Sequence, residues 1–115
     1  MRTIIAGSRG ITKLSIVWKA VDASGWRKEI TTVISGTARG VDQLGERFAR
    51  LYSIPVERHP AQWDVYGRSA GHRRNEEMAR CADALIAIWD GRSPGTRSMI
   101  GYAQKYGLKV FVYYV

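Results

Sequence analysis

Arginine, glycine and residues with a hydroxyl group recur together in four short segments of this 115-residue chain. The segments are GSRG at 7–10, SGTARG at 35–40, the stretch from Trp63 to Arg74, and DGRSPGTR at 90–97. A guanidinium group binds phosphate through two parallel hydrogen bonds, and glycines let backbone N–H groups come close to an anion. The combination predicts a binding site for phosphate groups.

Basic residues are distributed unevenly between these segments and the rest of the chain, which has a formal net charge of +8. The segments hold seven arginines and no lysine, and all five lysines lie elsewhere. A merely solvated basic surface would mix the two types, whereas bidentate phosphate recognition favours arginine. The anionic partner is then either a phosphorylated small molecule or a nucleic acid. The seven arginines are Arg9, Arg39, Arg68, Arg73, Arg74, Arg92 and Arg97.

Short apolar runs alternate with amphipathic runs along the whole chain, which predicts strands alternating with helices. The predicted strands are Thr3–Ser8, Ile30–Gly36, Ile54–Pro60, Ala84–Gly91 and Lys109–Val115. The predicted helices are Thr12–Ala23, Val41–Tyr52, His72–Ala82 and a turn-plus-helix at Ser93–Gly107, with residues 61–71 irregular. Parallel strands covered on both faces read as nearly continuous apolar runs, as here. We therefore expect one α/β domain over residues 1–115, Rossmann-like and three-layered, with a five-stranded parallel sheet in the order 3-2-1-4-5.

All four segments directly follow predicted strands, so their positions in the fold are predictable. Ligands of open parallel sheets bind beyond the carboxyl ends of the strands, where the strand order reverses, here between the first and fourth strands. In this hypothesis Trp63 covers a base, and Asp90 accepts hydrogen bonds from ribose hydroxyls. The expected ligand-binding residues are Gly7, Ser8, Arg9, Ser35, Gly36, Thr37, Arg39, Gly40, Asp42, Trp63, Arg74, Asn75, Asp90, Gly95 and Thr96.

Other classes of function find little support in the sequence. Cys81 is the only cysteine, so no internal disulfide forms, and its helical position predicts a small buried thiol. No group of His, Cys and Asp residues has metal-ligand spacing, so we predict no metal site, and the sequence identifies no cofactor besides the expected nucleotide or nucleotide-derived ligand. No apolar run approaches the roughly 20 residues of a membrane span, which predicts a cytoplasmic protein without a membrane partner.

Three longer stretches resemble a known family. They are SGTARGVDQLGERFA, PAQWDVYGRSAGHRRNEEMA and ALIAIWDGRSPGTRSMIGYA, and with the first strand they extend over almost the whole chain. Together they resemble the YspA-type branch of the SLOG superfamily. The resemblance implies a small Rossmann-like protein that binds a nucleotide or nucleotide derivative, as a sensor or processing module. Related families form dimers, and the apolar helix positions Leu14, Trp18, Met99 and Tyr102 lead us to expect a homodimer here as well.

Two related families imply different activities. GHRRN is similar to the helix signature of the Lonely Guy phosphoribohydrolases, which places their catalytic arginine on Arg74, and RSPGTRSM is similar to their phosphate loop. Their catalytic glutamate falls on Met99, so N-glycosidic cleavage would need another carboxylate, for which Asp90 or Asp64 is the candidate. SGTARGVD is also similar to a motif of the DNA-processing protein A family, which implies single-stranded DNA binding. Nucleotide binding, nucleotide cleavage and single-strand binding are thus the three hypotheses.

Overall fold

The computed structural model describes all 115 residues as an α/β fold around one parallel sheet. The strands are β1 (Arg2–Gly7), β2 (Thr32–Ser35), β3 (Val56–Arg58), β4 (Ala84–Trp89) and β5 (Lys109–Tyr114). The helices are α1 (Leu14–Ser24), α2 (Val41–Leu51), α3 (Trp63–Tyr66), α4 (Ala70–Cys81) and α5 (Pro94–Lys105). The sheet order β3-β2-β1-β4-β5 confirms the predicted fold class and strand order.

Two apolar clusters lie on the two faces of the sheet. Because successive strand residues point to opposite faces, Ile5 of β1 packs in the cluster under α1 and α2, and its neighbour Ile4 packs in the cluster under α4 and α5. Phe48 anchors the first cluster, and Met99 lies in the second, both essentially without solvent exposure. Residues 84–88 of β4 are buried throughout, as expected for a central parallel strand.

Several predicted boundaries were wrong. Residues 61–71 are not irregular throughout, because they contain α3, a short 3₁₀ turn at Gly67–Ser69 and the first two residues of α4. All four residues of α3 are exposed, so no apolar periodicity marks this single helical turn in the sequence. The predicted strands were also too long, and the excess residues after β2 and β4 lie in the loops that build the site described below.

Most of the apolar helix residues that led us to expect a homodimer pack against the protein's own interior. Met99 is buried, and Leu14 and Tyr102 are half-buried against the two apolar clusters. Only Trp18 remains exposed, at 38 %, and its ring packs edge-on against Phe48. Helical periodicity places these apolar residues on one face of their helices, but it does not show that the sheet covers most of that face. None of the five helices is long and apolar enough to cross a membrane.

Candidate nucleotide site

A cleft of about 680 Å³ lies at the carboxyl edge of the sheet, beyond the ends of the paired strands β1 and β4, where the strand order reverses. Its wall is formed by the loop after β1, the loop after β4 with the start of α5, and one side of α4. A smaller cleft of about 390 Å³ adjoins it beside the loop after β2. Arg9, Ala38, Trp63 and Arg74 line both clefts, so the two form one continuous surface.

The structure brings together thirteen of the fifteen residues predicted to bind ligand. Ten of them line the larger cleft: Gly7, Ser8, Arg9, Asp42, Trp63, Arg74, Asn75, Asp90, Gly95 and Thr96. Three others line the smaller cleft: Gly36, Thr37 and Arg39. The two residues outside both clefts are Ser35 and Gly40.

The first turn of α5 presents unused hydrogen-bond donors to the larger cleft. Pro94 occupies the start of the helix, and the N–H groups of the next residues, Gly95 and Thr96, have no carbonyl available within the helix. Thr96 as a residue is only 5 % exposed, but its hydroxyl makes no hydrogen bond within the protein and is open to the cleft, because no buried side-chain oxygen or nitrogen lacks a partner. Asn75 of α4 fixes this turn, since its amide donates to the carbonyl of Gly95 at 3.3 Å. The turn is therefore a rigid, electropositive corner of the cleft.

Arg74 reaches from α4 across to the loop after β2. Its guanidinium donates hydrogen bonds to the carbonyl of Gly36 and to Asn75 Oδ1, the latter at 3.0 Å. A side chain at position 36 would displace the ends of two site residues, since a Cβ there would lie 2.8 Å from Arg74 Nη1 and 2.7 Å from Asp42 Oδ2. Glycine at this position leaves room beside the loop for both the Arg74 guanidinium and the Asp42 carboxylate.

Asp42, in the first turn of α2, is a buried acid in this cleft. Burial raises the pKa of its carboxyl from 3.8 to about 6. The charge of Arg74 and the backbone N–H groups of Ala38 and Gly7 oppose that rise, while the nearby Glu46 adds to it. The Ala38 N–H donates to Oδ2 at 3.2 Å. Asp42 thus changes its charge close to neutral pH, within the site.

Asp90 lines the cleft, but its carboxylate is largely engaged by its own loop. It accepts the N–H groups of Arg92 and Ser93, both at 2.8 Å, and the Ser93 hydroxyl at 3.0 Å. These hydrogen bonds, from Ser93 first, lower the pKa of Asp90. A carboxylate has about four lone-pair positions, so little acceptor capacity is left for a ribose. The oxygen of Ser93 lies 3.1 Å from that of Ser8, which ties the loop after β4 to the loop after β1.

Ser35 and Gly40 line neither cleft, but they fix the shape of the loop after β2. The buried Ser35 hydroxyl donates to Glu46 Oε2 at 2.6 Å and accepts the N–H of Thr37 at 3.0 Å. Gly40 has φ of +78°, and a Cβ there would lie 2.5 Å from the carbonyl oxygen of Ser8. Ser35 and Gly40 therefore shape the loop that the other residues line. Thr37 also adopts a left-handed φ of +65°, which is unfavourable for a β-branched residue and common at functional sites.

Two further features of the region around the cleft were not predicted from the sequence. Glu46, which was not predicted, is a buried carboxylate one helical turn after Asp42, and this i,i+4 spacing was the signal available in the sequence. Arg73 and Arg74 form no ion pair with Glu76 or Glu77, the acids that follow them in α4. Arg73 stacks over Tyr66 at 4.3 Å, whereas Glu76 pairs with Arg80 and Lys105.

Comparison with known proteins gives a consistent result. The sequence model of the YspA, cpYpsA-related SLOG family matches residues 1–66. Gene 61 protein of Mycobacterium phage D29 is 37 % identical over 95 % of this chain and 93 % of its own length. The solved structure of DNA processing protein A from Streptococcus pneumoniae superposes with a TM-score of 0.72 over 96 % of this chain, at 17 % identity. This chain spans about half the length of that protein (49 %), and the similarity between the two is one of fold.

Proposed function

The chain belongs to the YspA, cpYpsA-related SLOG family, and on that premise we propose that its cleft binds a nucleotide or a nucleotide-derived molecule. The position of the cleft at the switch point of the sheet supports this proposal, since parallel α/β sheets bind their ligands there. A volume of about 680 Å³ also falls within the range of small-molecule sites.

The observation that carries the proposal is the first turn of α5. Its free N–H groups and the hydroxyl of Thr96, which is open to the cleft and makes no hydrogen bond within the protein, face the same part of the cleft. An anion at this helix N-terminus would accept hydrogen bonds from the N–H groups and from the hydroxyl together. We therefore place a phosphate group of the ligand against Gly95 and Thr96.

Two arginines provide the opposite charge for this phosphate. Burial lowers the pKa of Arg74, and the positive charge of Arg9 lowers it further, while Asp42 alone opposes them. The two guanidinium groups therefore repel each other across the cleft, and a bound phosphate would neutralise both. Trp63 is 53 % exposed at the junction of the two clefts and is in a position to stack on the base.

Titration calorimetry with AMP and ADP-ribose tests the proposal. We expect Arg74→Ala and Thr96→Ala each to weaken binding at least tenfold, because each removes a hydrogen bond to a charged group, which is worth about 1.5–3 kcal/mol. Arg47→Ala is the matched control, since Arg47 is exposed on α2 and lines neither cleft. Equal affinities for the three variants, or no binding of either compound, would contradict the assignment.

Cleavage of the bound nucleotide is a second candidate, which the environment of Asp42 favours. A general acid or base works best with a pKa near the working pH, and the pKa of Asp42 is about 6. Met99 stands where the phosphoribohydrolases are expected to have their catalytic glutamate, and a thioether transfers no proton. If base is released from AMP, we expect Asp42→Asn to abolish the release and retain binding. Turnover by Asp42→Asn at the wild-type rate would exclude Asp42 from that role.

Single-stranded nucleic acid is the alternative ligand, and salt distinguishes it from a mononucleotide. Exposed Trp63 lines both clefts with Arg9 and Arg74, and exposed Tyr66, one helical turn later, packs under Arg73, an arrangement that also suits base stacking. Binding to a strand releases counterions in proportion to the number of phosphates neutralised. An oligonucleotide affinity that falls steeply with salt, without measurable AMP binding, would favour this alternative.

A further inference from the structure

A second polar cluster lies away from the cleft, between the edge strand β3 and the carboxyl end of α4. It consists of Glu57 on β3, His59 just after that strand, and Cys81 as the last residue of α4. All three side chains are half-buried, and one potential metal-ligating atom of each lies within 4.8 Å of the others. We propose that Glu57, His59 and Cys81 form a three-ligand site for a divalent cation of the zinc class.

The separations between the three ligand atoms fit a single ion. His59 Nε2 lies 2.7 Å from Glu57 Oε2, Cys81 Sγ lies 3.5 Å from the same oxygen, and Sγ lies 3.9 Å from Nε2. Tetrahedral zinc with its usual bond lengths requires edges of about 3.3 Å between nitrogen and oxygen and about 3.5 Å to sulfur. The observed separations differ from these values by about 0.6 Å or less, which small side-chain rotations would correct.

The surroundings of His59 favour a metal on its Nε2 atom. Its Nδ1 atom lies 3.1 Å from Glu77 Oε1, the arrangement of a carboxylate that orients a metal-binding histidine. A neutral imidazole has one N–H, so it donates to Glu77 or to Glu57 but not to both. When Nδ1–H donates to Glu77, the lone pair of Nε2 faces the lone pairs of Glu57 Oε2, and the two atoms repel each other. A cation between them would bind both atoms and remove this repulsion.

The charges of the cluster also balance around a dication. Arg2 contributes one positive charge, with Nη2 at 2.8 Å from both carboxylate oxygens of Glu57, and it retains Oε1 when a metal takes Oε2. With a dication present, the positive charges of the ion and Arg2 equal the negative charges of Glu57, Glu77 and the Cys81 thiolate. Nitrogen, oxygen and sulfur ligands together select zinc-class ions over magnesium or calcium, and three protein ligands leave one position for water.

Such an ion would join two walls of the cleft. His59 is followed by Pro60 and Ala61 of the smaller cleft, and α4 carries Arg74 and Asn75 of the larger one. The strand β3 has three residues and pairs on one side only, with β2. A metal link from this strand to the end of α4 would therefore stabilise the edge of the sheet next to the site.

Metal titration of the untagged, chelator-treated protein tests the proposal. We expect one Zn²⁺ per chain, with a proton released from the Cys81 thiol as its sulfur bonds to the metal. With Co²⁺ as the probe, we expect a thiolate-to-cobalt charge-transfer band, which requires a bond to Cys81, the only cysteine of the chain. Substoichiometric zinc binding, or a cobalt complex without this band, would overturn the proposal, and neither observation depends on a variant.

Variants then test the remaining ligands. We expect Cys81→Ser and His59→Gln to lower zinc affinity at least tenfold, and Glu77→Gln to lower it about ten- to a hundredfold as the outer partner of His59. The control is His72→Gln, since His72 lies on the other side of α4 and bonds Ser98. Circular dichroism without metal verifies that each variant folds. Unchanged affinity in folded His59→Gln, or an equal loss in His72→Gln, would overturn the ligand assignment.

Discussion

Replacing Asp42 with asparagine is expected to stabilise the protein above pH 6 and to change its stability little below pH 4. The folded protein raises the pKa of this carboxyl from 3.8 to about 6, so the folded state holds its proton more tightly than the unfolded chain does. The associated stabilisation is fully present below pH 3.8 and is lost as the pH rises through about 6. A shift of about two units, at 1.36 kcal/mol each, amounts to about 3 kcal/mol.

The assay is urea unfolding of the wild type and Asp42→Asn at several pH values from 3.5 to 7.5. Asparagine keeps an acceptor for the Ala38 N–H and has no charge to bury, so the free energy of unfolding should rise relative to wild type by up to about 3 kcal/mol at the upper end. Glu57 has the opposite pH dependence, because Arg2 lowers its pKa to about 2, but it is present in both proteins and cancels in the difference. Asp64→Asn, at an exposed acid of α3, controls for the substitution itself. A difference in the free energy of unfolding between the two proteins that is independent of pH, or that favours the wild type as the pH rises, would contradict the prediction.

Three other predictions follow from local geometry and charge. In Gly36→Ala, the new Cβ collides with the side chains of Arg74 and Asp42, so we expect the free energy of unfolding in urea to fall by about 1–3 kcal/mol. We also expect AMP to bind at least tenfold more weakly in calorimetry. Wild-type stability and affinity would contradict this prediction. In Gly101→Ala, no atom lies within 4 Å of the new Cβ on the exposed face of α5. Thermal unfolding should therefore show a free energy of unfolding that is higher than that of the wild type by about 0.5–1 kcal/mol, and a lower value would contradict the prediction. Finally, AMP affinity measured by calorimetry at increasing salt should fall only shallowly, since one phosphate is neutralised, and a steep slope would indicate a strand.

The fold was largely predictable because its determinants are local. Four of the five parallel strands are short, mostly apolar and contain β-branched residues, and the long helices between strands have an apolar stripe, whereas the edge strand β3 (Val56–Arg58) holds one apolar residue. Right-handed crossovers then leave few ways to order five such strands. The exception, α3, has four exposed residues and no stripe, so the sequence carries no periodic signal for it.

The position of the candidate cleft residues was predictable because most of them directly follow strands, whereas contacts that depend on packing were not predictable from the sequence. The four arginine- and glycine-containing segments meet because the carboxyl ends of parallel strands share an edge. The roles of individual residues required the structure: Asp90 is engaged by its own turn, and Ser35 bonds Glu46. The cluster of Glu57, His59 and Cys81 escaped prediction because its members, more than twenty residues apart at the extremes, meet only when β3 packs against α4.

The central claim is that a nucleotide phosphate binds at the start of α5, and amide NMR during titration with AMP tests it most directly. The expected result is that the largest shifts fall on the N–H groups of Gly95 and Thr96, with smaller shifts in residues 7–10 of the loop after β1. These shifts should be absent in Thr96→Ala at the same AMP concentration. Shifts confined to other surfaces, or none at AMP concentrations in the millimolar range, where affinities of about −4 kcal/mol become measurable, would contradict the account.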